Sequence, residues 1–337
     1  MAAADGPLVD IYCHIYPDRF FEEMTKVSPQ LENLGKRLRS IKKLFDLDER
    51  FREMDGFGDY RQIISLPNPP IEDIARPDIG LGLARIANDS MAELCRRHPE
   101  RLPAFAAALC LTDIDGSVAE ARRAIDTLGA RGIQIFTNIA GKPLDDPSFR
   151  PVFELMAQYD LPIWLHPVRT SAMTDYPAEA KSRFEMWWCF GWPYDTSVAM
   201  ARLVFSGLFD RHPGIKIVTH HCGGMIPYYD GRVGAGLEVL GSRTSDEDYS
   251  QILPSLKRPH LDYFRDFHAD TAMFGGQYGV RCGLEFFGAD RIVFATDAPL
   301  GPIRPTIEAV DRLGVDDADL RKIKSGNAAR LLNMPFN

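Results

Sequence analysis

The sequence predicts an α/β protein, a single (β/α)8 or TIM barrel, on three observations. Eight short runs rich in Val, Ile and other apolar residues recur along the 337 residues. Amphipathic stretches of helical period lie between them. No internal repeat, low-complexity tract or composition shift marks a linker, so residues 1–337 are expected to form one domain. Strands alternating with helices in this way close into a parallel barrel, for which about 250 residues usually suffice.

Strands are expected at Leu8–Cys13, Arg61–Leu66, Pro103–Leu109, Gly132–Phe136, Leu161–His166, Ile215–His220, Asp266–Asp270 and Arg291–Thr296. Each is a short apolar run of the kind that is buried on both faces of a parallel sheet. Helices are expected at Ile86–Arg97, Val118–Leu128, Phe149–Gln158, Ser197–Phe209 and Leu320–Leu332. Turn chemistry follows two of them, in Leu128-Gly-Ala-Arg-Gly132 and Arg211-His-Pro-Gly214. The residues beyond a minimal barrel fall in two places. Residues 15–58 form a helical insertion after the first strand, and residues 167–196, rich in aromatics and proline, extend the loop after the fifth into an aromatic lid. In this fold the loops after strand C-termini build the active site, so both segments are expected to wall a substrate.

Composition narrows the function. Apolar residues make up 45% and charged residues 26%, which excludes a disordered, collagenous or coiled-coil chain. The net charge of −8 argues against a nucleic-acid binder and leaves room for a small anion held by local arginines. No run approaches the roughly 18 apolar residues of a membrane span. Met1–Asp5 carries no secretory signal, and the six cysteines are scattered without a C-x-x-C pair, so the reducing cytoplasm is the expected compartment.

Several strands finish on metal-capable side chains: Asp10-Ile-Tyr12-Cys-His14, Trp164-Leu-His166, Thr219-His220-His221 and Ala295-Thr-Asp297. Residues two apart on a strand share a side, so Tyr12 and His14 are expected at the barrel mouth with Cys13 turned outward. Convergent strand ends could bring an oxygen and two imidazoles within ~2.0–2.2 Å of one divalent ion. Each histidine alone reads more plainly as a core residue; the set at four strand ends reads as a site.

Taken together, Val9-Asp-Ile-Tyr-Cys-His-Ile-Tyr-Pro17, Leu165-His-Pro167, His221-Cys-Gly-Gly-Met-Ile-Pro227, Gly231-Arg232, Thr296-Asp-Ala-Pro299 and Asn327-Ala-Ala-Arg-Leu-Leu332 resemble the amidohydrolase superfamily. The resemblance is to the branch of aminocarboxymuconate semialdehyde and γ-resorcylate decarboxylases. It implies one divalent metal, zinc first and manganese as the alternative, held by His14, His166 and Asp297. It also implies that His221 is the catalytic histidine, with Asp297 ligating the metal or passing protons. Arg232 would reach the neighbouring subunit's site and grip a substrate carboxylate, in a homodimer or larger even assembly. Trp188 would line the substrate pocket. The first strand departs from the branch's usual His-x-His or Glu-x-His, having Tyr12-x-His14. Tyr12 could ligate as phenolate, a water could replace the missing ligand, or the site could be empty.

The resemblance implies nonoxidative decarboxylation of an aromatic or muconate-like acid, with His221 delivering a proton. The same groups suit hydrolysis or hydration of a lactone or enol acid, and Tyr12 leaves open a metal-free binding protein. The aromatic segment Phe184–Tyr194 favours a planar substrate, or packs as a lid core. Other residues read plainly. His98 and His212 sit in turns, and the cysteines are small buried hydrophobes. His220 is expected to point away from His221 and pack. His268 and Asp270 end the seventh strand on one side, where a hydrogen bond to a ligand is conceivable. The run Lys36–Lys43 is a solvated helix face, unless one of its arginines closes over an anionic substrate.

Overall fold

The computed structural model describes residues 6–28 and 33–336. All eight expected strands are present: β1 Leu8–His14, β2 Tyr60–Ser65, β3 Ala104–Phe105, β4 Ile133–Phe136, β5 Ile163–His166, β6 Ile217–Thr219, β7 His268–Asp270 and β8 Ile292–Val293. They form parallel sheets in the orders β1-β2-β3 and β8-β7-β6-β5-β4. Two parallel bridges join the sheets into a ring, Ala107 with Ile133 beyond β3 and Cys13 with Ala298 beyond β8. Backbone bonds cross both seams, from Gln134 N to Ala107 O at 2.9 Å and from His14 N to Ala298 O at 2.7 Å. The ladders are shorter than the apolar runs because a tilted barrel strand pairs over only part of its length.

The seam between β1 and β8 carries a buried clasp. The carboxylate of Asp10 accepts from the backbone amides of Tyr12 (3.2 Å) and Thr296 (3.1 Å) and from the hydroxyls of Thr296 and Tyr60. Buried carboxylates are tolerated when their lone pairs are filled in this way. Within the ring, Val9, Ile11, Ile63, Trp164, Val218 and Val293 pack an inner core, while Ile64, Leu165, Ile217 and Phe267 face the helices. The Trp164 indole donates to the Ile11 carbonyl at 2.7 Å, so its one polar atom is satisfied.

The insertion after β1 contains α1 (Asp18–Val27), α2 (Asn33–Ser40) and α3 (Leu47–Met54). From α3 the buried Arg50 donates to the His14 carbonyl at 2.7 Å and to Gln62 on β2 at 2.7 Å. That guanidinium pins the end of β1 from behind. The remaining helices include α4 (Pro77–Arg97), α5 (Ile114–Asp126), α6 (Arg150–Tyr159), α7 (Gly191–Phe205), α8 (Gln277–Phe287) and α9 (Ile303–Asp311). The helix expected through Phe209 stops at Phe205, because Gly207 takes φ 72° before a separate turn at Leu208–Arg211. The last expected helix is broken into Asp317–Arg321 and Asn327–Leu331 around a π-helical turn at Lys322–Gly326. Among the described residues no helix is long and apolar enough to cross a membrane.

Candidate metal centre and active-site cavity

Period-two alternation along β5 and β6 brings Trp164, Val218, His166 and His220 to the inner side of the ring. This corrects the expectation for His220. Counting forward from the inward Val218 places Thr219 outside, where its hydroxyl donates to Met200, and His220 inside. His221 then also reaches the mouth because its backbone turns left-handed (φ 51°), which breaks the alternation. The two imidazole centroids lie 3.7 Å apart. Gly224 (φ 61°) holds this turn against α7, where a Cβ would meet the Pro193 carbonyl at 2.4 Å. Asp297 is likewise left-handed, at φ 64°.

The mouth gathers His14, His166, His220, His221 and Asp297. One ring nitrogen from each of His14, His166 and His220 lies within 4.8 Å of the others, and the same holds for the donor atoms of His220, His221 and Asp297. Asp297 Oδ1 is 3.1 Å from His14 Nε2 and 3.6 Å from His220 Nε2. Behind the cluster the rings of His14, His166 and His220 are each oriented by the other nitrogen. His166 Nδ1 donates to the Pro167 carbonyl at 2.8 Å, a group that can only accept. His220 Nδ1 pairs with Asp270 Oδ2, and His14 Nδ1 lies 3.2 Å from Ser65 Oγ. His14 Nε2, His220 Nε2 and Asp297 Oδ1 are buried without hydrogen-bond partners among the described residues.

Orphaned buried polar atoms of this kind are costly unless something partners them. Two imidazoles and a carboxylate, oriented by outer hydrogen bonds, are the donor set of a divalent cation, so the residues present fit a metal. Burial opposes ionisation of Asp297, but its contacts with His14 and His220 hold its carboxyl well below the usual range. Burial, with His220 and His14 beside it, pushes His166 well below the usual imidazole value. His221 falls to about 3, again through burial and then His220. Burial opposes the charge on His220 too, yet Asp270 and Asp297 outweigh it and raise its pKa to about 9. The Tyr12 phenol is pushed well above its normal value by burial and by those two carboxylates.

Above the cluster opens a cavity of about 200 Å³, lined by His166, Asn68 and Asp297 at its floor and by Trp187, Trp188, Trp192 and Phe274 on its walls. Arg37 and Leu38 of α2, with Glu185 and Leu300, complete it, and Arg37 donates to the Leu300 carbonyl at 3.4 Å. Arg37 is the one cationic side chain on this wall among the described residues. For comparison, a cavity of about 150 Å³ accommodates benzene. Trp188 thus lines the cavity, and the run Lys36–Lys43 contributes Arg37 to it.

Arg232 does not line the cavity. It is exposed, its guanidinium 5.9 Å from the centroid of the Tyr229 ring. His268 also stays away from the mouth: it accepts from Arg291 at 3.3 Å, two residues below Asp270 on β7. Asp270 alone of that pair reaches the cluster. Tyr12 and His14 face inward and Cys13 outward, as the alternation predicts. Trp192 falls in the aromatic segment expected to wall the substrate, and Asp270 makes the hydrogen bond expected at the end of its strand, to His220. Arg50 and Asn68 carried no local signal, since each depends on a partner remote in sequence.

A (β/α)8 barrel with imidazole and carboxylate donors converging at its C-terminal mouth defines a metal-dependent enzyme scaffold. The chain belongs to the amidohydrolase family, whose pattern matches residues 9–334. It is 33% identical over 308 residues to the γ-resorcylate decarboxylase of Rhodococcus jostii strain RHA1, covering 87% of this chain and 89% of that protein. Its fold is similar to that of 2,6-dihydroxybenzoate decarboxylase in complex with 2,6-dihydroxybenzoate, with a TM-score of 0.77, 28% identity and coverage of 97% and 99% of the two chains. The dihydroxybenzoic acid decarboxylase of Polaromonas sp. JS666, solved with bound manganese and the inhibitor 2-nitroresorcinol, matches at TM-score 0.77 and 27% identity over 97% of each chain.

Proposed function

We propose that this protein is a metal-dependent nonoxidative decarboxylase of a hydroxylated aromatic acid. The observation that carries the reading is the floor of unpartnered imidazole nitrogen and carboxylate oxygen beneath a tryptophan-walled cavity. The family relatives, named as decarboxylases of dihydroxybenzoates, support the substrate class. His14, His166 and Asp297 hold the ion. Bound there, a divalent ion supplies Lewis-acid orientation of substrate oxygens. Imidazole donors suit zinc; manganese is the ion named for the Polaromonas protein. Elemental analysis of purified protein discriminates them.

The tryptophans clamp the flat ring, and Arg37 at the rim pairs with an anionic oxygen. His221 delivers a proton to the ring carbon that bears the carboxylate. Its Nδ1 is buried without a partner among the described residues, so a substrate atom can take that position. It is neutral at rest, and the charge of the incoming acid favours its protonation. With the new C–H bond formed, the bond to the carboxyl carbon breaks, its electron pair restores the aromatic ring, and CO2 leaves. Arg232, exposed on its own copy, serves the neighbouring copy's site, which makes the assembly a homodimer or an even multiple.

The test is CO2 release from 2,6-dihydroxybenzoate and related hydroxybenzoates by metal-loaded protein. Release is expected, and His221→Ala should lower kcat by about 100-fold or more with metal retained. Hydrolysis of a lactone panel with no CO2 from any acid would overturn the reading.

A further inference from the structure

The second carboxylate at the mouth, Asp270, points to a role for His220 that packing does not require. A histidine placed only to fill a core needs neither an anionic partner nor an open nitrogen. His220 has both. Its Nδ1 is paired with Asp270 Oδ2, which fixes a proton on that nitrogen and aims Nε2 into the cluster, where a bound ion would take the place of a proton. Asp270 is itself held, its other oxygen accepting from the amides of Cys222 and Ala272 at 3.1 Å each. A carboxylate gripping the far nitrogen of an imidazole is the arrangement that orients metal-ligating histidines.

The distances agree. Two donors bound at ~2.0–2.2 Å to one ion lie roughly 3.0–3.5 Å apart in tetrahedral or octahedral geometry. His14 Nε2 and His220 Nε2 stand 3.1 and 3.6 Å from Asp297 Oδ1, and His220 shares a 4.8 Å cluster with both His14 and His166. Tyr12 meets His220 differently. Its ring lies flat on the imidazole, centroids 3.9 Å apart and planes 16° apart, which fixes the ring plane and leaves the nitrogen-bearing edge open.

We propose that His220, positioned by Asp270, is a fourth protein ligand of the metal, and that Tyr12 is the packing platform for that ligand and does not itself bind the ion. The proposal rests on the metal reading above. It makes the centre a three-imidazole, one-carboxylate site, a donor set that favours zinc or cobalt over manganese.

The experiment measures metal affinity by chelator competition, with cobalt and its visible spectrum as the probe, on the wild type and on His14→Ala, His220→Ala, His220→Gln, Asp270→Asn and Tyr12→Phe. Far-ultraviolet circular dichroism confirms the fold of each. Tyr12→Phe should bind cobalt like the wild type. Both His220 variants should lose at least about 100-fold in affinity and shift the cobalt bands. Asp270→Asn should lose about 10–100-fold. Wild-type affinity and spectrum in a folded His220→Gln, with loss in His14→Ala, would overturn the proposal while leaving the metal reading intact. A loss in Tyr12→Phe equal to that in His14→Ala would also overturn it. If the wild type binds no more tightly than His14→Ala, the metal reading itself fails, and this proposal with it.

Discussion

The ring of Tyr12 lies parallel to that of His220, with 3.9 Å between centroids. The contact joins the first strand to the sixth across the barrel mouth, and it ends in a buried phenol oxygen with no hydrogen-bond partner among the described residues. An orphaned hydroxyl costs about 1–3 kcal/mol. In metal-free protein, Tyr12→Phe is therefore expected to raise stability by about 1 kcal/mol in urea unfolding. Tyr12→Ala, which removes the ring as well, should lower it by about 3–5 kcal/mol. A destabilised Phe variant would mean that the hydroxyl has a partner in solution.

Arg37 offers the one positive charge on the cavity wall among the described residues. Arg37→Ala should raise KM for a hydroxybenzoate by about 10–100-fold, equivalent to about 1.5–3 kcal/mol of a charged hydrogen bond. Because Arg37 is at the rim, kcat and metal content should change little. Arg37→Lys should recover only part of KM, since an ammonium cannot form the two-pronged contact. Steady-state kinetics with metal analysis checks all three.

Dialysis against a chelator should abolish CO2 release, and stoichiometric divalent metal should restore it. The same addition should raise the melting temperature, because an ion that binds only the folded barrel stabilises it by mass action. His14→Ala should show neither response.

Arg232 is tested by mixing. Arg232→Ala and His221→Ala should each be inactive alone, yet subunits mixed through reversible dissociation should regain about a quarter of wild-type activity. Each mixed pair then contains one site with both groups. No recovery on verified subunit exchange would place Arg232 in its own copy's site, and an Arg232→Ala variant as active as the wild type would place it outside catalysis.

Glu72 provides a pH signature to which no residue of the cluster contributes. Its carboxyl accepts from the Leu111 amide at 2.6 Å and is pushed up to about 7, chiefly by burial. The folded state therefore binds more protons than the unfolded chain between its ordinary value near 4.5 and 7, and stability falls as pH rises through that window. Relative to Glu72→Gln, the wild type should lose about 1–3 kcal/mol between pH 4.5 and 8. Urea titrations of both proteins at several pH values measure the difference.

The barrel was legible because its strands, buried on both sides, are written as unbroken apolar runs. His14, His166 and Asp297 were legible as polar ends to such runs, and they do meet. His220 breaks the expectation because alternation taken from His221 crosses a residue whose left-handed backbone resets it. Counting forward from Val218 gives the observed side. Arg37 and Asp270 were harder. The run and the strand end that hold them carry a signal, but their partners, Leu300 for one and His220 for the other, lie far along the chain, and a linear pattern holds no trace of that pairing.

The clasp of Asp10 on Thr296 unites positions 286 residues apart, and the donors at the mouth span nearly the same interval. During synthesis, therefore, the ribosome releases most of the polypeptide before any cage exists. Chains that end before Asp297 lack both the last carboxylate of the donor set and the strand that closes the ring on β1.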